Sequence, residues 1–181
     1  SVQTLTLQRG EVLNVEAEPV SLIDSADLTG STVSANKPIA VFGGHEQAVV
    51  AVEGGDEQPC CADHLEEQLL PLETLDSEYV LVKAKPRGGE SDVWRVQAAE
   101  AGVSITTTPP IAGLNGVTLA NKGDWVQVES ELSFELQGSG PMQVGQYLAS
   151  QGETQENVGD ASLILAIPSA RYRTNYVLMI P

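Results

Sequence analysis

The sequence predicts an all-β fold made of short antiparallel strands, and two observations support this prediction. Two sets of side chains alternate along short runs: Val80 and Val82 with Tyr79 and Leu81 in YVLVKA, and Trp94 and Val96 with Val93 and Arg95 in DVWRVQA. Turn residues separate these runs, and the chain has 17 Gly and 10 Pro but no long amphipathic helical pattern. Many short strands of this kind are typical of β-sandwiches.

A motif that occurs twice predicts an internal duplication. Each copy has Asp, Pro and Tyr at the same spacing: Asp63, Pro71 and Tyr79 in the first copy, and Asp160, Pro168 and Tyr176 in the second. We therefore predict two related, tightly joined, antiparallel β-sandwich-like units, residues 1–78 and 79–181. The repeated Pro and Tyr residues are expected to be scaffold positions, and a further strand is expected to begin at the second Tyr.

The first unit is expected to open with a β-hairpin over residues 1–18, because alternating stretches flank a turn at Gln8 to Gly10. This stretch has a later counterpart: Arg9, Gly10, Glu11, Val15 and Glu16 match Lys122, Gly123, Asp124, Val128 and Glu129. The first unit therefore begins part-way through the repeat.

The next segment, Ile39–Phe42, is predicted to be a buried strand. Its matching positions in the two units are Pro38 and Pro141, and Val41 and Val144. The first unit carries extra residues between this strand and Asp63. Insertions on a duplicated scaffold form loops, and loops carry function disproportionately. The loop from Gly43 to Ala62 is therefore the first place to expect a functional site.

One short helix is expected near residues 63–69. Asp63 can act as its N-cap, and Glu66, three residues later, completes a pair that resembles a capping box. Pro71 ends the helix, because proline cannot continue the backbone hydrogen bonding.

The charge of the chain limits its partners. There are 25 acidic and 9 basic residues, which gives a net charge of −16. Nucleic acid and anionic membranes are disfavoured, because both bind through cationic side chains. Such a surface suits Ca²⁺, cationic partners or solubility. No apolar run approaches the length of a membrane span, and the first residue, Ser1, indicates a processed or excised piece that is flanked by further repeats.

The residues found only in the first unit are the stronger functional candidates, and they include both His and both Cys of the chain. His45, Glu46, Asp63 and His64 are the expected binding residues. Three of these, His45, Asp63 and His64, could hold Zn²⁺ together with the cysteines, although the spacing fits no standard ligand pattern. The alternative is that both histidines hydrogen-bond loop backbone.

The adjacent residues Cys60 and Cys61 have three interpretations. They can form a vicinal disulfide in an exported protein, remain free thiols, or pair outside this chain. A vicinal ring is strained, because neighbouring Cα atoms lie closer than disulfides prefer.

The sequence does not indicate an enzyme. It contains neither a G-x-S-x-G motif nor a phosphate-binding loop, and no Cys is followed by a distant His. Aromatic side chains could form a carbohydrate-binding face, although aromatics at alternating strand positions are more often core. These candidates are Trp94, Trp125, Tyr147, Tyr172 and Tyr176.

Three stretches resemble the N-terminal domain family of the IgG Fc-binding protein. They are GSTVSANKPIAVFGGHE from Gly30, DHLEEQLLPLETLDSEYVLV from Asp63, and DVWRVQA from Asp92. That family occurs in secreted mucin-associated proteins and in bacterial surface proteins. The resemblance implies an extracellular, all-β, non-enzymatic binding or adhesion module.

We therefore expect a non-catalytic, secreted or cell-surface module that binds protein or glycan partners through the region 43–64. One alternative is a structural repeat module stabilised by Ca²⁺ or by neighbouring units, with no other cofactor expected. The other is a metal-dependent hydrolase that uses His45, Asp63 and His64.

Overall fold

The computed structural model of the chain describes residues 2–17, 27–55 and 60–178. Within these ranges the protein is built from antiparallel strands and three single-turn 3₁₀ helices, at Leu72–Thr74, Gln151–Glu153 and Ser169–Arg171. In chain order the strands are β1 Phe42–Ala48, β2 Asp63–Gln68, β3 Asp76–Leu81, β4 Asp92–Ala98, β5 Val103–Thr108, β6 Thr118–Leu119, β7 Trp125–Ser130, β8 Phe134–Leu148 and β9 Ser162–Leu165. The prediction of an all-β fold is confirmed.

The 15-residue strand β8 organises the main sheet. Its first half lies between β3 and β5, with Leu81 opposite Phe134. Its second half lies between β4 and β9, with Val96 opposite Val144. Strand β6 extends the sheet beyond β5, and β7 extends it beyond β4. All of these pairs are antiparallel, so the sheet curls around one long central strand.

The two halves of β8 meet at a tight bend. The pairing between β3 and β8 shifts register here, between Asp76 and Glu78. A Cβ atom on Gly138 would lie 2.6 Å from Cε of Met142 and 2.8 Å from the carbonyl oxygen of Gly140. Only glycine leaves this space open, and glycines inside strands commonly mark such bends.

The curl of the sheet encloses the main hydrophobic core, to which both halves of β8 contribute. The ring of Trp94 packs edge-on against Phe134, with centroids 5.5 Å apart. The hydroxyl of Tyr79 donates a hydrogen bond to the carbonyl oxygen of Met142. The other buried members are Leu81, Val96, Ala98, Val103, Ile105, Ile111, Leu114, Leu119, Leu136 and Val144. Each large apolar side chain buried here contributes roughly 1.5–3 kcal/mol.

Strands β1 and β2 form a separate two-stranded ribbon, which we call the β1–β2 ribbon. A second, smaller core lies where this ribbon region meets the strands of the main sheet. It contains Leu65 of β2, Val50 just after β1, Val93 of β4 and Ala161 just before β9. Alternation along β4 points Val93 away from the Trp94 side, so the ribbon covers the outer face of the main sheet.

A buried ion pair connects β3, β4 and β8. Nζ of Lys83 lies 2.8 Å from Oδ1 of Asp92, and both side chains are almost fully buried. The other carboxylate oxygen, Oδ2, accepts hydrogen bonds from the backbone N–H of Ala84 at 2.7 Å and from Nε2 of Gln146 at 2.6 Å. The buried carboxylate therefore has one cation and two further hydrogen-bond donors as partners.

The expected helix near residues 63–69 is wrong, because Asp63–Gln68 forms strand β2. The capping-box pattern is a local signal, whereas the burial of Leu65 against Val50 and Val93 requires a period of two residues. The carboxylate of Asp63 accepts the N–H of His64 at 2.8 Å.

The expected hairpin at the start of the chain is also absent from residues 2–17, which contain no strand; Ser1 and Glu18 lie outside the described ranges. The turn itself is present, with the N–H of Glu11 donating to the carbonyl oxygen of Gln8. In the matching region, β6 and β7 flank a similar turn but pair with β5 and β4, not with each other. By analogy, the two stretches that flank the turn in residues 2–17 are not expected to pair with each other.

Two further strand predictions are wrong. Strand β1 begins only at Phe42, and Ile39 is 52% exposed, so Ile39–Phe42 is not a buried strand. No strand begins at Tyr176 within residues 175–178, and that side chain is exposed. The internal duplication and the division into units 1–78 and 79–181 stay predictions.

We predict that Asp92→Ala lowers the free energy of unfolding by about 3–5 kcal/mol, because it removes the closest carboxylate of the buried Lys83, whose other acidic neighbour Glu90 lies 4.0 Å away, and the acceptor of two further hydrogen bonds. Urea unfolding followed by circular dichroism measures the change. The same substitution at the exposed Asp160 is the control, and we expect a change of at most about 0.5 kcal/mol there. Equal unfolding midpoints for the two variants would contradict the prediction.

Candidate binding surfaces

The predicted binding residues all lie on the β1–β2 ribbon, but they do not form one cluster. His45 is opposite Leu65 and Asp63 is opposite Ala48 in the pairing of the two strands. Because side chains alternate along β2, His64 and Leu65 point to opposite faces of the ribbon. The structure therefore does not bring His45, Asp63 and His64 together as a shared metal or catalytic site.

Each histidine of the ribbon contacts a residue two positions away in the sequence. Nδ1 of His45 accepts the backbone N–H of Gln47 at 3.1 Å. Nε2 of His64 lies 4.0 Å from Oε2 of Glu66, and both side chains are mostly exposed. Among the residues described by the structure, no group of three His, Cys, Asp or Glu side chains has the geometry to hold a metal ion. The ribbon instead presents exposed polar side chains to solvent, namely those of His45, Glu46, His64 and Glu66.

The chain that follows β1 is fixed to the body of the protein. The N–H of Val50 donates to Oγ of the buried Ser150 at 2.9 Å, and the N–H of Ser150 donates back to the carbonyl oxygen of Val50 at 3.0 Å. The N–H of Glu53 donates to Oε2 of Glu129 at 2.8 Å. The start of the predicted functional loop is thus anchored by hydrogen bonds; its residues 56–59 lie outside the described ranges.

The loop leads into a disulfide between neighbouring residues, Cys60 and Cys61. Cys61 has a φ of 76°, a backbone conformation that is uncommon for a residue with a side chain. A Cβ atom on Gly152 would lie 3.1 Å from the N atom of Cys60. The disulfide therefore lies directly against the segment that anchors Val50, just before β2 begins.

Gly44 in β1 lies where a side chain does not fit, because a Cβ atom there would be 2.0 Å from the carbonyl oxygen of Leu65. The two strands of the ribbon approach each other unusually closely at this point. A glycine is therefore required within the Gly-Gly-His stretch for structural reasons.

A second surface lies on the outer face of β4, β7 and β8. The guanidinium of Arg95 lies 4.3 Å from the ring centroid of Trp125 and 5.4 Å from that of Tyr147. Its Nε and Nη2 donate to Oε1 of Gln127 at 3.1 and 2.9 Å. Burial raises the pKa of Tyr147. The guanidinium is therefore held by two aromatic rings and one amide oxygen.

The same arginine holds the segment 27–30 against the sheet. Nη1 of Arg95 donates to Oδ2 of Asp27 at 2.9 Å and to Oγ1 of Thr29 at 2.7 Å. Partial burial opposes ionisation of Asp27, but hydrogen bonds from Thr29 and the charge of Arg95 outweigh it and lower the pKa of this carboxyl. Beside this contact, a Cβ atom on Gly30 would lie 2.7 Å from the carbonyl oxygen of Gly123, so the two backbones touch.

The candidate aromatic residues thus divide into different environments. Trp94 belongs to the core, whereas Trp125 and Tyr147 lie on the outer face with Arg95. Tyr172 lines a shallow, largely apolar groove between β3 and β9, and Tyr176 is exposed. The signal for the outer face was available in the sequence, since alternation along β4 places Arg95 opposite the core-facing Trp94 side. The cross-strand register needed to place Trp125 beside it was not.

No helix among the described residues has the length and apolar character to cross a bilayer. Together, the antiparallel sheet and the exposed β1–β2 ribbon define an all-β module that presents polar side chains on the ribbon strands. Among such modules, the chain belongs to the IgGFc binding protein family, which it matches over residues 1–181.

The chain also has a human relative. The chain is 30% identical over 173 residues to the human IgGFc-binding protein, and the match covers 93% of this chain but 3% of that protein. The chain therefore spans a small part of the length of this relative. No solved structure matches the chain. The predicted membership of the IgG Fc-binding family is confirmed. The expected link to bacterial surface proteins is not borne out by these matches.

We predict that the purified chain, produced by an oxidising secretory route, loses two hydrogen atoms in mass relative to its fully reduced form, because Cys60 and Cys61 are joined. Intact-mass spectrometry with and without reductant, after alkylation, measures this difference. Cys61→Ser is the control and should show one alkylated thiol under both conditions. Two alkylated thiols in the unreduced native chain would contradict the bridge.

Proposed function

We propose that this chain is a non-catalytic extracellular module that binds a protein partner through the ribbon region 43–64. Its family is named for binding the Fc region of immunoglobulin G, so the Fc fragment is the first partner to test. The human relative carries the same name, but the chain spans 3% of that protein. Binding of Fc by this segment is therefore our proposal and not a property transferred from the relative.

The observation that carries the proposal is the combination of a fixed base and an exposed tip in the ribbon. The buried Ser150 exchanges two hydrogen bonds with Val50, and Leu65 is buried in the small core. The side chains of Glu46, His64 and Glu66 are nevertheless exposed. Presenting polar side chains on a rigid support lowers the entropic cost of binding.

An extracellular location agrees with the vicinal disulfide, because disulfides persist in oxidising compartments and are rare in the cytosol. The net charge of −16 favours a partner surface that is basic or neutral, since like charges facing each other across an interface are costly.

Two alternatives are less favoured. A metal-dependent hydrolase would require His45, Asp63 and His64 to converge, whereas the pairing of the ribbon places His64 on the face opposite His45. A structural module stabilised by Ca²⁺ would bind the ion through its acidic surface, and calcium-dependent melting would reveal it. A glycan partner is a further alternative, and removing the glycan from Fc distinguishes it from a protein partner.

The test is surface plasmon resonance of the immobilised full chain with the Fc fragment as analyte. We expect the double variant His64→Ala and Glu66→Ala to weaken binding at least about tenfold, because exposed side chains at the centre of an interface dominate its affinity. Both residues are exposed, so their truncation does not disturb either hydrophobic core.

The matched control is the double variant Lys122→Ala and Glu131→Ala, which also removes one basic and one acidic group from exposed positions. Its affinity should equal that of the unmodified chain. Equal losses in both double variants would contradict recognition by the ribbon. A complete absence of Fc binding would contradict Fc as the partner, and loss of binding on deglycosylation of Fc would assign recognition to the glycan.

A further inference from the structure

The β1–β2 ribbon has the same pairing register as strands β8 and β9. Under the residue correspondence of the predicted repeat, four successive pairs of the ribbon coincide with four successive pairs of the main sheet. Phe42–Gln68, Gly43–Glu67, Gly44–Glu66 and His45–Leu65 match Gly145–Leu165, Gln146–Ile164, Tyr147–Leu163 and Leu148–Ser162.

The hydrogen bonds around these strands correspond as well. The N–H of Leu69 donates to the carbonyl oxygen of Val41 at 2.8 Å, and the N–H of Ala166 donates to that of Val144 at 2.9 Å. Each ribbon or sheet pair is followed by a single 3₁₀ turn that starts after a proline, Pro71 in one case and Pro168 in the other. The ribbon is therefore the structural counterpart of the second half of β8 with β9.

One strand of this arrangement has no counterpart beside the ribbon. In the main sheet, β4 pairs with the other edge of β8. No described strand pairs with the other edge of β1. Because the carbonyl of Val41 bonds to β2, alternation along an antiparallel strand directs the backbone groups of Phe42 and Gly44 toward this free edge. An edge of this kind accepts an additional strand.

A second, independent feature is found in segment 2–17, part of which corresponds to strand β7, a neighbour of β4. The turn in segment 2–17 has the geometry of the turn between β6 and β7: Gly10 has a φ of 86° and Gly123 has a φ of 90°. In both turns an acidic side chain accepts a backbone N–H three residues earlier, Glu11 from Gln8 and Asp124 from Asn121. Residues 12–16 are therefore the counterpart of β7, which pairs with the far edge of β4.

The side chains of this segment agree with that role. By the same correspondence, Leu13 and Val15 match Val126 and Val128, which pack against the main core. Leu13 and Val15 are instead 47% and 61% exposed. A strand of the β4 type, placed between β1 and residues 12–16, would supply the missing ladder to both and cover these apolar side chains.

We propose that an extended strand of the β4 type, from a neighbouring unit of the same fold, inserts antiparallel between β1 and residues 12–16. The inserted strand would form backbone hydrogen bonds with Phe42 and Gly44. Its apolar side chains would pack against Leu13 and Val15. The chain spans 3% of its human relative, and a protein of that length has room for such units. The inference is independent of the proposed function, because it uses a strand edge and not the exposed side chains of His64 and Glu66.

The test uses the isotope-labelled full chain and a synthetic peptide with the sequence of residues 91–99, SDVWRVQAA. Titration followed by amide chemical shifts should perturb Phe42, Gly44 and residues 12–16 together. Phe42→Pro should abolish the perturbation, because proline removes the backbone donor at the free edge. A peptide of the same composition in scrambled order is the probe control.

Two substitutions in the exposed segment keep the test valid if the proline variant is unstable. Val15→Asp should weaken peptide binding at least about tenfold, because it places a carboxylate on the side that becomes buried. Val2→Asp is the matched control: Val2 is 95% exposed and lies outside residues 12–16, away from the proposed ladder. It should leave the affinity unchanged.

Several results would overturn the proposal. They are no perturbation at all, perturbation confined to β1 or to another strand edge such as β3, and equal losses in the two Asp variants. Sedimentation of the chain without peptide gives the remaining outcome: concentration-dependent association abolished by Phe42→Pro would assign the edge to a second copy of this chain.

Discussion

The pairing of β8 with four other strands is the constraint on which the rest of the structure depends. One half of this strand joins β3 and β5, and the other joins β4 and β9. Because the strand bends at Gly138, its inner side chains line one continuous core although they belong to both halves. The outer side of its second half carries Tyr147, which touches both the ribbon core and Arg95. Both candidate surfaces are therefore positioned by the same strand.

Several basic side chains of this acidic protein hydrogen-bond to other parts of the chain. Four of the nine do so: Lys83 to Asp92, Arg87 to the carbonyl oxygen of Ala149, Arg95 to Asp27, and Arg171 to the carbonyl oxygens of Glu73 and Thr74. With 25 acidic residues against 9 basic ones, the net charge of −16 makes the surface potential negative. Electrostatic steering will favour approach by cationic surfaces and oppose approach by anionic ones.

Two strands of the main core were predictable from the sequence. The segments DVWRVQA and VSITT are short, bounded by turn residues and rich in strand-forming residues, and they form β4 and β5 at the expected places. The ribbon was not predictable, because Asp63 and Glu66 give a local helix signal while the burial of Leu65 depends on Val50 and Val93, which are distant along the chain. The stack of Trp125 on Arg95 depends in turn on cross-strand register, which the alternation of a single strand does not specify.

The failure of the hairpin prediction has a structural cause that also explains residues 2–17. A hairpin requires the two arms of a turn to pair with each other, whereas β6 and β7 leave a similar turn toward different partners. The sequence of residues 2–17 therefore has the alternation of β-strands, but its two halves do not pair with each other. Its apolar residues Leu13 and Val15 remain exposed. Such residues are costly to leave in water unless another surface covers them. The free edge of β1 lacks the strand that β4 supplies in the main sheet, so one added strand would satisfy both features.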